Sequence, residues 1–343
     1  MNMNKWVESL HESNKRFAIP IMTHPGIDFI GKKILDAVTD GEIQFQAIKA
    51  IQERYSPDAA TMIMDLTVEA EAFGCAINFP DNEIPTVAER LVGDRESIEK
   101  LNIPKLKIAR IPQYLKAAKL AVENIKNKPV FAGCIGPFSL AGRLFDLSEI
   151  MTALYIELDV INLLIKKCST FLLAYLREIK KIGVNGILMA EPAAGLLSPE
   201  MCNEFSSCYI KEMVDEVQDE NFLFILHNCG NTGQVTQSMI STGAGGLHFG
   251  NKIDIVETLK KVPAGTLVMG NLDPVGVFKM GKPEEINREI TALLHKTAGY
   301  KNFVISSGCD TPPEVPNENI EAFFEAVKTF NLIAKRELEF LMT

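Results

Sequence analysis

Eight short apolar runs recur along this chain, at residues 17–22, 59–64, 129–134, 186–189, 222–226, 245–249, 266–269 and 303–305, each followed by a polar, glycine-rich or proline-rich turn. Between them stand stretches with helical apolar spacing, at 148–182, 199–219 (opening on Ser198-Pro199), 254–261, 283–298 and 317–334. Strand signals that alternate with helix signals favour a parallel sheet, and eight of them favour a closed ring. The expected fold is therefore α/β, a (β/α)8 TIM barrel. No repeat, low-complexity tract or linker divides the 343 residues, and barrels of this kind hold more than 250 residues around one core. The expected unit is a single barrel domain over 1–343 with an N-terminal helical extension. The less periodic segment 79–106 reads as an excursion after the second strand.

Composition narrows the function. Hydrophobic residues make up 47% and charged residues 23%, which suits a globular chain with a sizeable core. A net charge of −9 and a pI near 5.3 leave no basic footprint for nucleic acid or an anionic membrane. The start has no signal-peptide core, and no run of about 18 apolar residues spans a bilayer, so a cytoplasmic protein is expected. Seven cysteines scattered through apolar segments read as reduced core residues rather than a disulfide framework.

In a barrel the loops after the strands gather at one face and carry the chemistry. Two strand ends stand out. In Asn221-Phe-Leu-Phe-Ile-Leu-His-Asn-Cys-Gly230, residues i and i+2 of a strand share a face, so His227 and Cys229 can grip one ion. In Phe303-Val-Ile-Ser-Ser-Gly-Cys-Asp310, Cys309 ends a second apolar run and is the natural third ligand. Three protein ligands leave zinc one position for water or substrate, and thiolates select against magnesium, calcium and manganese. Taken alone, Cys309 reads equally well as a buried thiol, and a lone strand-end histidine as structural.

The chain resembles the uroporphyrinogen decarboxylase superfamily, and within it the zinc-dependent methylcobamide:coenzyme M methyltransferase branch. The resemblance covers nearly the whole chain. It rests on Asp65-Leu-Thr-Val-Glu-Ala-Glu-Ala-Phe-Gly74, Gly136-Pro-Phe-Ser-Leu-Ala141, Glu191-Pro192 with Leu197-Ser-Pro199, His227-Asn-Cys-Gly230, Gly270-Asn-Leu-Asp-Pro274 and Gly308-Cys-Asp-Thr-Pro-Pro313 with Asn319-Ile320. It implies a uroporphyrinogen-decarboxylase-like barrel with His227, Cys229 and Cys309 as ligands of Zn2+. The implied reaction moves a methyl group from a methylcobamide, held by a corrinoid carrier protein, to a small thiol such as coenzyme M. The alternative is a tetrapyrrole decarboxylase or lyase of the uroporphyrinogen type. A homodimer is in keeping with the superfamily.

Two departures qualify the resemblance. Where the decarboxylase carries an arginine-rich segment for its substrate's carboxylates, this chain reads Met22-Thr-His-Pro-Gly26, and the single Arg143 of the third loop cannot replace a cluster. Where the methyltransferase branch carries a carboxylate after strand six, this chain has Gly250, so the fourth zinc position falls to water, to substrate or to His248, which equally reads as an outer support. Glu191, His248 and Asp65 are the candidate catalytic groups at the mouth. Glu69 and Asp273 read as loop caps or solvated carboxylates, and His24 reads equally as a turn residue or a cavity residue.

Overall fold

The apolar runs become the staves of a barrel. In the computed structural model, which describes residues 1–230 and 232–341, one parallel sheet contains β1 (Ala60–Thr61), β4 (Val130–Ile135), β5 (Gly186–Ala190), β6 (Leu223–Asn228), β7 (Gly246–Phe249), β8 (Leu267–Leu272) and β9 (Phe303–Ser307) in that order. Positions 231, 342 and 343 of the expected unit lie outside the described residues. The intervening β2 (Ile77–Asn78) and β3 (Thr86–Val87) pair antiparallel, so the segment after β1 is the excursion its weak periodicity suggests.

The first run, 17–22, completes the ring. Ala18 bridges Ile305 in parallel, Ile19 N–H donates to Ile305 O at 3.0 Å, and Asp58 N–H donates to Ala18 O at 3.0 Å on the other side. Pro20 has no N–H to give the ladder, so this stave is held by a bridge rather than a full set of strand bonds. The result is a (β/α)8 barrel.

Alternation along each stave sorts the side chains. Phe131, Leu188, Ile225, Leu267, Met269 and Val304 point inward and form an apolar plug, while Ala132, Ile187, Phe224, Leu247 and Ile305 point outward into the core shared with the helices. Burial on both faces explains why the strands read as continuous apolar runs. Helix Met3–Glu12 closes the N-terminal end of the barrel by packing Met3, Trp6 and Leu10 on the plug, with Trp6 edge-on to Phe131 at 5.9 Å.

The long helical stretch expected at 148–182 is two helices, Leu147–Ile156 and Leu158–Ile182. The buried series Ile150, Ala153, Leu154 lapses at the exposed Glu157 and resumes at Val160 and Ile161 in the same phase. The chain breaks at Glu157, whose backbone leaves the helical region (φ −135°, ψ 44°). Residues 199–217 are helical as expected, opened by Ser198 Oγ accepting from Met201 N at 3.2 Å, but Asn203–Ser207 forms one widened turn. Wide turns of this kind re-aim side chains, and this one sends Ser206 toward β5.

Gly186 shows how tightly the staves are set. A Cβ there would lie 2.1 Å from Leu223 O and 3.0 Å from the Phe131 ring. Gly186→Ala is expected to cost about 1–3 kcal/mol or more of stability through overpacking. Denaturant melts check this, and an unchanged midpoint would contradict the packing described.

Candidate metal centre

The inward face of β6 carries Leu223, Ile225 and then His227, so the histidine stands one layer above the apolar plug, with Cys229 following on the same face. On β9 the inward residues are Val304 and Ser306, after which Gly308 turns the chain and delivers Cys309. The ligand atoms of His227, Cys229 and Cys309 all lie within 4.8 Å of one another. One ion can bridge that spacing.

A buried polar chain holds the histidine. His227 and His248 are register partners on β6 and β7, and their Nδ1 atoms share a hydrogen bond of 2.8 Å. His248 Nε2 meets Ser306 Oγ at 2.9 Å. Burial drives the pKa of His248 well below the usual imidazole value, and the neighbouring His227 lowers it further, so His248 is neutral. His227 Nε2 is buried and has no hydrogen-bond partner among the described residues, an arrangement that is costly unless a cation takes its lone pair. With that lone pair on a cation, His227 carries its proton on Nδ1 and donates to His248, which donates from Nε2 to Ser306.

The two sulfurs are partly buried and unoxidised. A hydrogen bond from Cys309 is the main force pulling the Cys229 thiol down to about 4, and His227 helps, against the opposing effect of burial. The same bond, with burial, pushes Cys309 up. Thiolate is the form in which a cysteine binds a metal. One neutral imidazole and two sulfurs are a donor set that fits zinc.

Gly250 does more than lack an oxygen. A Cβ at that position would lie 2.5 Å from Cys229 O and 2.7 Å from Cys229 Cα, so β7 presses directly on the backbone of a ligand and no side chain fits. His248 is not a further donor to this point either, because both its nitrogens are engaged behind His227.

The other expected residues are placed as supports. Glu191 follows the inward Ala190 and turns outward, where Oε1 accepts from Phe138 N (2.8 Å) and Ser206 Oγ (2.9 Å) and Oε2 from Ser139 N (2.9 Å). It caps helix Pro137–Phe145. Burial raises its pKa and those bonds hold it down. Asp65 accepts from Thr67 N and Oγ1 (2.9 and 2.7 Å) and pairs with Arg110, whose Nε reaches Glu71 at 2.5 Å. Asn228 points away from the ligands and ties strand ends together, donating to Glu191 O at 2.6 Å and accepting from Gly230 N at 2.9 Å. His24 is buried, with Nδ1 2.6 Å from Thr311 O, and Asp310 accepts from Thr23 N at 2.9 Å. Segment 22–26 therefore buttresses the Cys309 loop. Asp273 caps a turn through Val275 N and Gly276 N, both at 2.9 Å.

Ser306 and Arg110 were not singled out from sequence. The inward phase of β9 would have found Ser306. Arg110 lies 45 residues from Asp65 with no local motif to announce it. A surface cavity of about 790 Å3 lies at the other end of the barrel beside residues 54–58 and touches none of His227, Cys229 and Cys309.

Fold and site together define a (β/α)8 barrel with a His/Cys/Cys centre at its C-terminal mouth. Comparison with known proteins gives the kinship. The family profile described as "Uroporphyrinogen decarboxylase (URO-D)" matches residues 16–330, and the chain belongs to that family. It is 31% identical over 286 residues to the methylcobamide:CoM methyltransferase MtbA of Methanosarcina acetivorans, covering 80% of each chain. It is 28% identical over 282 residues to the uroporphyrinogen decarboxylase of Legionella pneumophila, covering 80% of this chain and 79% of that one. In fold it superposes on a methyltransferase from Methanosarcina mazei with a TM-score of 0.86 at 23% identity, covering 96% and 99% of the two chains.

Glu69 departs from its sequence reading. It is 2% exposed, with Oε1 accepting from Ile135 N at 3.2 Å and Oε2 unpartnered, and burial pushes its pKa up to about 7. Against an ordinary value of 4.5, folding takes up a proton between about pH 4.5 and 7. Its share of stability is complete below that window and is lost as pH rises through it. Relative to wild type, Glu69→Gln should gain about 3 kcal/mol on going from the acid to the alkaline side of the window. Paired thermal melts measure the gap, and a gap independent of pH contradicts the assignment.

Proposed function

We propose that the chain holds a zinc ion on His227 Nε2, Cys229 Sγ and Cys309 Sγ and moves a methyl group from a methylated corrinoid, presented by a carrier protein, to a small thiol such as coenzyme M. The observation that carries this reading is the buried, unpartnered Nε2 of His227 beside two cysteine sulfurs. The corrinoid and the thiol are supported by the activity named for the MtbA relatives.

Zinc bound there supplies Lewis acidity that keeps an incoming thiol as thiolate at neutral pH. The chain's own donors, two thiolates and a neutral imidazole, balance the charge of a dication and leave the acceptor sulfur electron-rich. His248 and Ser306 keep Nε2 of His227 aimed at the centre. Glu191 and Asp65 act as positioning residues, one by fixing helix Pro137–Phe145 and the other by fixing the loop after β1. Gly250 leaves room where a ligand side chain would compete with the substrate. In the transfer an S–C bond forms as the C–Co bond breaks. The electron pair of the broken bond stays on cobalt, and the thiol proton leaves to solvent. The walls orient the partners and exclude water.

The family name and the Legionella relatives favour decarboxylation of a tetrapyrrole as the second reading. It calls for a cluster of cations at the first loop, where this chain has the buried Thr23 and His24, and it requires no metal. We further propose a cytoplasmic enzyme working as one unit over 1–343 and assembling as a homodimer. Among the described residues no helix is long and apolar enough to cross a membrane.

Protein purified without added zinc should contain about one equivalent per chain and form a thioether from methylcobalamin and a suitable thiol. His248→Ala should weaken zinc binding roughly 10–100-fold through loss of the outer support, and Cys309→Ser by more. Metal analysis with competitive chelation reads the order. Zinc below about 0.1 equivalent with no recovery on reconstitution, or no thioether with any acceptor, would overturn the proposal.

A further inference from the structure

Arg143 is left unused by the chemistry above. It sits on helix Pro137–Phe145, directly after β4 at the mouth of the barrel, and is partly buried. The other two sequestered arginines are saturated: Arg16 donates to Tyr300 O, Thr297 O and Ala298 O, and Arg110 to Asp65, Glu71, Thr67 and Val38 O. Among the described residues Arg143 makes no hydrogen bond and no ion pair. Burial lowers its pKa, with Asp65, Glu69 and Cys75 opposing only through space. Asp65 is committed to Arg110 and Thr67, and Glu69 lies deep with its own pKa near 7. A guanidinium in this position lacks an acceptor.

It faces a cavity of about 520 Å3 enclosed by Arg90, Ser139, Arg143, Pro192, Ala193 and Leu196. The nearby Asp146 is spent on Ser148 N (2.9 Å) and Glu149 N (3.1 Å), and Arg90 is 3.7 Å from Glu149. Glu89 also lines the cavity but makes no ion pair with Arg143, which is left as a cation on the wall with no hydrogen-bond acceptor among the described residues. The cavity adjoins the loop that carries Cys229: Pro192, on its wall, has its carbonyl oxygen 3.9 Å from where a side chain on Gly230 would begin, and Gly230 follows Cys229.

We infer that this cavity is the subsite for the anionic end of the methyl acceptor, a thiol whose carboxylate or sulfonate pairs with Arg143 while its sulfur reaches the His/Cys/Cys centre. The inference rests on the methyltransferase reading for the identity of the ligand and adds the residue that selects it. A planar guanidinium with free donors matches such an anion bidentately.

Equilibrium binding of short ω-mercaptoalkanoates and mercaptoalkanesulfonates, against mercaptoalcohols of equal length, to the zinc-loaded protein tests this directly. The native chain should prefer the anionic thiols roughly ten- to hundredfold. Arg143→Met should abolish the preference, and Arg143→Lys should keep part of it. Melting temperature and zinc content report whether each variant is folded, and Arg143→Lys carries the test if Arg143→Met is not. Equal affinity for charged and neutral thiols in the native chain, or a preference that survives in Arg143→Met, overturns the inference. So does an effect confined to methylcobalamin binding, which would assign the arginine to the corrinoid's phosphate. Thioether formation is read separately: if no thiol is methylated the transfer reading fails, while the binding preference still decides the role of Arg143.

Discussion

The bond between His227 Nδ1 and His248 Nδ1, buried in the barrel at 2.8 Å, is the interaction on which the site depends. It uses one nitrogen of His227 and so leaves the other, Nε2, without a hydrogen-bond partner among the described residues. Breaking it would orphan a second buried nitrogen at about 1–3 kcal/mol. The bond exists because β6 and β7 pair in parallel with His227 opposite His248, and that register is held by the packing of Ile225 against Gly246 in the layer below. Barrel closure and site chemistry are thus one constraint: a slip of β7 by one residue would turn His248 outward and remove the support.

Around this centre, polar groups at the strand ends hold loops more than they meet substrate. Glu191 ties β5 to helix Pro137–Phe145 and, through its carbonyl, to Asn228 beside Cys229. Asp310 and His24 tie the Cys309 loop to segment 22–26. Gly250 lets β7 lie against the Cys229 backbone. His227, Cys229 and Cys309, which belong to distant strands, are thereby brought to one point by rigid elements, while the space between the third and fourth loops stays open with Arg143 on its wall. Beside these loop-holding contacts, Nε2 of His227 and the Arg143 guanidinium stand without hydrogen-bond partners among the described residues.

Much of the fold was legible in the sequence because burial on both faces writes each inner strand as an apolar run. Where physics departs from that simple rule, reading faltered: Pro20 weakens the first stave to a bridge, and the non-helical backbone at Glu157 splits a helix whose apolar periodicity runs unbroken across it. His227 and Cys229 were legible because i and i+2 on a strand is a local relation, and Cys309 because it ends a second strand. The position of His248 behind His227 was not, since it depends on the register between two strands. Nor was the outward turn of Glu191, the partnership of Arg110 with Asp65, or the contact that forbids a side chain at Gly250. Each is set by elements far apart along the chain.

X-ray absorption at the zinc edge, recorded on the purified protein before and after addition of an anionic thiol, tests the central claim most directly. The account predicts a centre of two sulfurs, one imidazole nitrogen and one light atom that becomes three sulfurs and one nitrogen when the thiol binds. A sulfur count that does not rise with thiol, or zinc surrounded only by light atoms, would contradict it.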